Sequence, residues 1–150
     1  GIEGEERGQS EAIARNLAVM SSLKTRIIVV VSGEGGSGGA LALGVGDHIA
    51  ILEYGTYSVA SPEACASIVW RESDKAPEAA EAMKVGATDL KKIGIVDEII
   101  LEPIGGAHKD YDAISRSIKS SLITNIAELS KFSLEELLKR RYERLLKIGA

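Results

Sequence analysis

The segment Arg26–Glu53 reads RIIVVVSGEGGSGGALALGVGDHIAILE and contains the pattern that decides the fold. Its first part, Arg26–Val31, is a continuous apolar run rich in β-branched residues, which is typical of a strand buried on both faces. A glycine-rich stretch, Gly33–Gly39, follows at once, and Ala40–Val45 reads as a short helix. A second apolar strand is predicted over Ile49–Glu53. Buried strands alternating with helices predict an α/β domain with a mostly parallel sheet.

The rest of the chain continues this alternation and then ends in helices. Further helices are predicted over Gln9–Ser22 with Ser10 as its cap, Ser61–Trp70 with Ser61 as its cap, Ala76–Lys84, Thr88–Lys92, Tyr111–Leu129 and Leu134–Ile148 with Ser133 as its cap. Further strands are predicted over Thr56–Val59 and Ile95–Leu101. No internal repeat is evident in this order. We therefore expect one domain over residues 1–150, in which the part from about residue 110 onward is a helical appendage.

Composition excludes several classes of protein. The chain has 150 residues, 18 basic and 22 acidic side chains, a net charge of -4, two histidines and one cysteine. A single cysteine rules out an intramolecular disulfide framework and a four-cysteine zinc site, so we expect no metal bound by this chain. The apolar runs are shorter than the roughly 20 residues that span a bilayer, which argues against a membrane protein. The acidic balance argues against nucleic acid as the primary partner.

The glycine-rich stretch first suggests dinucleotide binding. Gly33, Gly35 and Gly38 fit G-x-G-x-x-G after a strand, and Glu53 lies 20 residues beyond Gly33, where a ribose-binding acid belongs. The helix between the two strands is only about two turns long, which makes the unit cramped. A Rossmann-like oxidoreductase is therefore one alternative.

The same stretch also fits a serine hydrolase. Gly35–Gly39 matches the G-x-S-x-G elbow, in which a serine is pushed out on a strand-to-helix turn. Ser37, Asp97 and His108 follow in the order nucleophile, acid, base. The pattern is easily met by chance in a glycine-rich segment, and a triad requires the three side chains to meet in space.

A third interpretation uses the backbone alone. Amide groups at the start of a helix can stabilise negative charge that develops on an oxygen, with no side-chain nucleophile. Chemistry through an enolate or a ureido oxyanion requires such donors above all. A packing role for the glycines is the remaining alternative, but five glycines in seven residues exceed what a tight turn needs.

Several longer motifs resemble one family. They are GEGGSGGALALGVGD (Gly33–Asp47), TYSVASPEACASIVW (Thr56–Trp70), DKAPEAAEAM (Asp74–Met83) and EPIGGAH (Glu102–His108), together with EERGQSEAIARNL (Glu5–Leu17) and RRYERLLKIG (Arg140–Gly149). In order and spacing they are similar to the carboxyltransferase alpha subunits of bacterial and plastid acetyl-CoA carboxylase. The family's subunit is about twice as long as this chain, so the resemblance implies its C-terminal portion.

The resemblance implies a crotonase-like (ClpP/crotonase) fold built of repeated ββα units. It also implies a zinc-bearing beta subunit as partner, usually in an α2β2 assembly, with the active site between the two subunits. That complex transfers a carboxyl group from carboxybiotin, held on a separate biotin carboxyl carrier protein, to acetyl-CoA. The product is malonyl-CoA for fatty acid synthesis, made in the bacterial cytoplasm or in plastids.

The family's alpha subunit supplies a biotin-facing oxyanion hole from its glycine-rich segment. Carried onto this chain, the resemblance implies donors among the amides of Gly35, Gly36, Gly38 and Gly39. We also expect substrate-binding residues close to this segment and in the glycine loop near Glu102. These candidates are Ser37, Ser61, Glu63, Ala64 and His108.

Overall fold

Short parallel strands and their flanking helices organise the chain in the computed structural model, which describes residues 2–148. The helices are α1 (Ile2–Glu6), α2 (Gln9–Ser22), α3 (Ser37–Leu43), α4 (Pro62–Trp70), α5 (Ala76–Met83), α6 (Ala87–Lys92), α7 (Tyr111–Leu129) and α8 (Leu134–Lys147). The strands are β1 (Ile28–Val31), β2 (Glu34–Gly36), β3 (His48–Leu52), β4 (Thr56–Ser58) and β5 (Glu98–Ile100). Residues 1, 149 and 150, which belong to the predicted domain, lie outside the described part.

The strands form two sheets, and each ββα unit contributes to both. The larger sheet has the order β1-β3-β5 and the smaller one pairs β2 with β4, all in parallel. In the register, Val29 is opposite Ile49 in the larger sheet and Gly36 is opposite Ser58 in the smaller one. The units β1-β2-α3 and β3-β4-α4 therefore repeat one pattern, in which the first strand joins the larger sheet and the second strand joins the smaller sheet.

The glycine-rich stretch departs from the sequence prediction. The sequence predicts no strand in this stretch, but Glu34–Gly36 is a strand, and the helix predicted over Ala40–Val45 spans Ser37–Leu43 instead. Glycine is disfavoured in strands, so its local propensity gave no sign of this pairing. The strand forms because the distant β4 lies beside it, and the amide of Thr56 donates to the carbonyl of Gly33 at 3.0 Å.

The core lies on both faces of the larger sheet, as the apolar strand runs predicted. One face carries a buried cluster of Val31, Ile49, Ile51, Ala87, Leu90 and Val96. The opposite face buries Ala50, Leu52 and Ile100 against Ile114 of α7. Each large side chain buried in this way contributes about 1.5–3 kcal/mol to folding, so the larger sheet is the main source of stability.

Two of the three predicted helix caps are confirmed. The Ser61 hydroxyl accepts a hydrogen bond from the amide of Ala64, and Ser133 forms a reciprocal capping box with Glu136. The prediction for Ser10 is wrong, because α2 begins one residue earlier at Gln9. Its cap position is Gly8, whose φ of 79° suits a residue without a side chain.

The two C-terminal helices pack on the α/β layers. α7 covers one sheet face through Ile114 and Ile118, while Leu137 and Arg141 of α8 are buried. The limits of the domain and of the helical appendage stay a prediction. Among residues 2–148, no helix combines the length and the apolar character needed to cross a bilayer.

Candidate functional site

The amino end of α3 presents backbone donors at the edge of the smaller sheet. Gly36 is its cap residue, with φ -130° and ψ 145°, and the first turn continues through Ser37, Gly38 and Gly39. The first N–H groups of a helix have no partner inside the helix. No side chain within residues 2–148 caps this end. The amides of Gly38 and Gly39, which lie beyond the β2–β4 pairing, are therefore available to an external acceptor.

Ser37 gives this helix start an unusual backbone. Its φ is 57°, in a region that residues with a side chain seldom adopt. A positive φ directly before a helical stretch is one way in which the backbone forms concave, anion-binding nests of N–H groups. The strained residue thus coincides with the free amides, as expected where strain serves a function.

The glycines of the segment differ in what surrounds them. An ideal Cβ atom at Gly36 or Gly39 would meet no atom of the described residues within 4 Å, so both face open space. At Gly38 it would lie in ordinary contact with Ile13, at 3.7 Å. At Gly35 it would lie only 2.7 Å from Cδ2 of Tyr57, so packing already requires glycine at that position.

The start of α4 lies at the same edge of the smaller sheet as the start of α3. Gly36 and Ser58 are paired in a parallel register, so the helices that follow these two strands begin on the same side. The Ser61 hydroxyl accepts from the amide of Ala64 at 3.2 Å, which commits both candidates to the helix cap. Glu63, in the first turn, is exposed.

His108 lies in a separate cavity of about 430 Å³ near the carboxyl ends of the larger sheet's strands. The cavity is lined by Ser32, Gly33, Tyr54, Gly55, Glu102, Gly105, Gly106, Ala107 and His108. Glu102 holds this loop closed, because its carboxylate accepts from the amides of Tyr54 and Ala107. The structure thus brings His108 beside Gly33 and not beside the helix start at Gly36–Gly39.

The geometry does not support a serine hydrolase. Although Ser37 stands on a strand-to-helix turn, Asp97 precedes β5 at the amino ends of the larger sheet. There its carboxylate accepts from the amide of Ile49 at 2.8 Å and from Arg144 at 2.9 Å. Ser37 and His108 both follow the carboxyl ends of strands. Asp97 and His108 therefore lie at opposite ends of the larger sheet, and the serine hydrolase alternative is not supported.

Dinucleotide binding is not supported either. Gly35 lies in a strand of the smaller sheet and not in the tight turn that the fingerprint requires. The Glu53 carboxylate accepts from the amide of Glu102 at 3.1 Å, so it is used to join two loops. The spacing of Gly33, Gly38 and Glu53 matched the fingerprint by coincidence.

Sequence reasoning missed a second polar arrangement, at the amino ends of the larger sheet. Asp47 precedes β3, and its carboxylate accepts from the amide of Ile27 at 2.7 Å and from Arg141 at 2.8 and 2.9 Å. Asp97 precedes the neighbouring strand β5, and its carboxylate likewise accepts from a backbone amide, that of Ile49, and from an arginine, Arg144. Arg144 lies three residues after Arg141 on α8. The Arg141 and Asp47 side chains are 0% and 2% exposed. This arrangement locks α8 onto the sheet.

A short repeat in the sequence marks this arrangement. GVGDHI (Gly44–Ile49) and GIVDEI (Gly94–Ile99) share a glycine, an aliphatic residue, an aspartate three residues after the glycine, and an isoleucine two residues after the aspartate. At six residues, this repeat is too short to be evident from the sequence alone. The repeat places an aspartate directly before β3 and before β5. Both aspartates therefore have a structural role and need no catalytic one.

Glu98 ties α7 to the same end of the sheet. Its carboxylate accepts from Ser121 and Asn125 at 2.8 Å and lies 3.1 Å from Nε2 of His48. Burial on its own would raise the pKa of Glu98, but the hydrogen bonds from Ser121, Asn125 and His48 outweigh it and lower that pKa. The charged form of Glu98 therefore stabilises the fold.

Comparison with known proteins points in one direction. A family model described as "Acetyl co-enzyme A carboxylase carboxyltransferase-like" matches residues 1–149. Two curated relatives are 59% and 58% identical over 149 residues and are called acetyl-coenzyme A carboxylase carboxyl transferase subunit alpha; they come from Alcanivorax borkumensis and Photobacterium profundum. The matches cover 99% of this chain but 46% and 47% of the relatives. The chain thus spans about half the length of the curated relatives it matches.

Solved structures share the fold at low identity. A Pseudomonas malonate decarboxylase hetero-tetramer in complex with coenzyme A aligns with a TM-score of 0.64 and 16% identity, over 94% of this chain and 56% of that one. Transcarboxylase 12S with methylmalonyl-coenzyme A and methylmalonic acid bound aligns with a TM-score of 0.57 and 23% identity, over 67% and 21%. These likenesses show the fold alone, and they confirm the expected crotonase-like class.

Proposed function

Because the chain belongs to the acetyl co-enzyme A carboxylase carboxyltransferase-like family, we propose that it is part of an acetyl-CoA carboxylase carboxyltransferase alpha subunit. That subunit transfers a carboxyl group from carboxybiotin to acetyl-CoA and so forms malonyl-CoA for fatty acid synthesis. The observation that carries this proposal is the family match over nearly the whole chain. The relatives that match at close to 60% identity have the same name.

The start of α3 fits the chemistry that this reaction requires. Carboxybiotin, when bound, supplies the carboxyl group and a ureido oxygen on which negative charge develops. The chain offers amides at Gly36–Gly39 for which no side-chain cap competes, beside two positions where a Cβ atom would meet nothing within 4 Å. A side chain larger than hydrogen at Gly36 or Gly39 would occupy the space through which a flat ring approaches.

The role of the chain in this scheme is electrostatic. Amides fixed at a helix start donate to developing negative charge without reorganising, because their direction is set by the fold. Removing one such donor typically costs about 2.7–4 kcal/mol of transition-state stabilisation. No acid or base side chain from the described residues is needed at this position. Ser37 contributes its backbone and not its hydroxyl.

Exposed apolar side chains near the site support a partner subunit. Leu41 and Leu43 of α3 are exposed, and so are Val59 before α4 and Ile68 and Val69 within it. Large apolar side chains left exposed on the helices that follow two paired strands are consistent with an interaction surface. The proposed partner is a zinc-bearing beta subunit in an α2β2 assembly, which holds the acetyl-CoA enolate. The biotin arrives on a separate carrier protein.

The cavity that lies between Gly33 and His108 is the proposed contact for the CoA substrate. Its loop has two glycines with positive φ, Gly105 at 89° and Gly106 at 102°, so its shape depends on those two residues. His108 is exposed at this cavity. We place the assembled enzyme in the bacterial cytoplasm or in plastids, and this chain contributes no metal ligand to it.

Assembly and activity provide the test. The subunit that carries this chain, at the relatives' full length, is co-expressed with a zinc-bearing beta-type subunit and supplied with carboxybiotin carrier and acetyl-CoA. We expect the two subunits to co-purify and to form malonyl-CoA. A subunit that does not assemble, or an assembled complex that makes no malonyl-CoA, would contradict the proposal. A thermal shift with NAD, in place of that activity, would instead favour the dinucleotide alternative.

A further inference from the structure

The direction of the α3 amides depends on what holds a very short helix. α3 has only seven residues, and helices of that length are marginal without tertiary support. Its last carbonyl groups accept no hydrogen bond from an amide within the helix, so they need donors from elsewhere. Three of them find one. Leu41 accepts from the amide of Gly44 at 3.1 Å, and Ala40 and Ala42 accept from side chains outside the helix.

Tyr57 supplies the first of these outside donors. Its hydroxyl donates to the carbonyl of Ala40 at 3.3 Å from the adjacent strand β4. The ring lies in a slot that depends on two glycines. A Cβ atom at Gly35 would lie 2.7 Å from its Cδ2, and one at Gly44 would clash with its hydroxyl oxygen. Gly35 and Gly44 therefore leave the space that the Tyr57 ring occupies.

Asn16 supplies the second donor, from helix α2. Its side-chain amide donates to the carbonyl of Ala42, and Ile13, one turn earlier on α2, lies against Gly38. α2 is itself fixed at its far end, because buried Arg141 donates to the carbonyls of Met20 and Leu23, each at 2.9 Å. The anchor for α3 thus continues into the rigid part of the fold.

We infer that Tyr57 and Asn16 are positioning residues for the proposed oxyanion site, because they fix the C-terminal carbonyls of α3 and thereby the direction of its amino-terminal amides. This inference rests on the proposed function of those amides. Both residues act through the helix and touch no reacting atom. Together they hold α3 between β4 and α2.

The state of the phenol suits this role. Burial raises the pKa of Tyr57, and the positive charge of Arg144 offsets only part of that rise. The hydroxyl therefore keeps its proton, and the hydrogen bond to Ala40, over the whole range in which tyrosine is ordinarily neutral. Asn16 does not titrate, so neither anchor changes with pH in that range.

Tyr57→Phe tests the inference in the full-length subunit assembled with its partner. The ring stays in its slot between Gly35 and Gly44 and only the donated hydrogen bond is lost. We expect kcat for malonyl-CoA formation to fall about three- to tenfold, the rate equivalent of one ordinary hydrogen bond. The KM for acetyl-CoA should change by less than about twofold, since positioning acts on the transition state. Tyr142→Phe is the matched control, because Tyr142 is exposed on α8 and should change neither constant.

Asn16→Asp gives a second, independent variant of nearly the same shape. It replaces a donor with an acceptor that faces the carbonyl of Ala42, so kcat should again fall with KM retained. If Tyr57→Phe does not fold, this variant decides the question. In Gly36→Val, where the site is already blocked, Tyr57→Phe should lower kcat no further.

The outcomes separate the inference from the function on which it rests. If Gly36→Val loses activity while Tyr57→Phe and Asn16→Asp keep wild-type kcat, the positioning role is overturned and the proposed function stands. If Gly36→Val retains activity, the proposed oxyanion site itself is overturned. Equal changes in kcat and stability for Tyr57→Phe and Tyr142→Phe would also overturn the positioning role.

Discussion

Polar groups have partners at the amino ends of the larger sheet, whereas the start of α3, beside the smaller sheet, has no side-chain cap. At the amino ends, the carboxylates of Asp47, Asp97 and Glu98 each accept from two or more neighbours. At the start of α3, no side chain of the described region caps the first turn, and Gly36 and Gly39 face open space. The polar groups of the first region stabilise the fold. The amides of the second region remain available to a ligand.

This difference explains why the two patterns in the glycine segment misled the sequence interpretation. An acid close to a sequence motif, such as Asp97 or Glu53, suggests catalysis, yet both accept from backbone amides and lie away from the helix start. At the start of α3, the polar groups without a side-chain partner among the described residues are backbone amides, which no side-chain motif reports. Function in this chain is therefore expected where hydrogen-bond partners are missing and not where charged residues gather.

Arg141→Leu should lower the free energy of unfolding more than any other variant, through the amino ends of the larger sheet. It leaves the Asp47 carboxylate buried without its charged partner, which typically costs about 3–5 kcal/mol in free energy of unfolding. Denaturant unfolding of the assembled subunit measures the loss. The neighbouring Arg140→Leu is the control, because Arg140 is exposed over the ring of Phe132 and should cost less than about 1 kcal/mol. Equal losses for the two variants would contradict the contrast between a locked and an open region.

Glu98→Gln should have a smaller effect that depends on pH. Since the folded-state pKa of Glu98 is lowered, its charge stabilises the fold above the ordinary glutamate pKa of 4.5, and this contribution is lost as pH falls through the lower folded value. We expect the variant to unfold about 1–2 kcal/mol more easily near neutral pH, and this deficit to shrink once the pH is lowered below 4.5. Unfolding curves at the two pH values provide the measurement. A deficit of the same size at both would contradict the role of the charge.

Ser37→Ala should have the smallest effect and sharpens the contrast from the open side. The backbone at this position keeps its amide, and only the hydroxyl is removed. Malonyl-CoA formation should stay within about threefold of the parent enzyme, whereas loss of a true nucleophile costs about 10⁴-fold or more. Steady-state assays on the complex measure it. Labelling of Ser37 by a serine-directed probe would argue for the hydrolase instead.

The sequence predicted most of the elements because their signals are local. Apolar runs gave β1, β3 and β5, and Ser61 and Ser133 marked helix starts correctly. It did not predict β2, because a strand of glycines forms only when the distant β4 lies beside it. The order of the larger sheet is likewise a property of pairing and not of any one strand.

The site was predicted in place but not in detail. Glycines after a buried strand pointed to the start of α3, yet the positive φ of Ser37 and the open space at Gly36 depend on three-dimensional packing. The roles of Gly35 and Tyr57 were also invisible in the sequence, because residues 22 positions apart meet only in the fold. The short repeat around Asp47 and Asp97 is present in the sequence, but six residues are too few to indicate a repeated unit without the structure.

Gly36→Val and Gly39→Val in the assembled, full-length subunit probe the open region directly, with Gly86→Val as the matched control. Gly86 is also a helix-cap glycine with extended backbone and open space around it, but it lies at the start of α6. We predict that both site variants fold and assemble normally while the rate of malonyl-CoA formation falls about 10²- to 10³-fold, and that Gly86→Val stays close to the parent rate. Parent-like rates for Gly36→Val and Gly39→Val would contradict the assignment of the α3 amides as the oxyanion site.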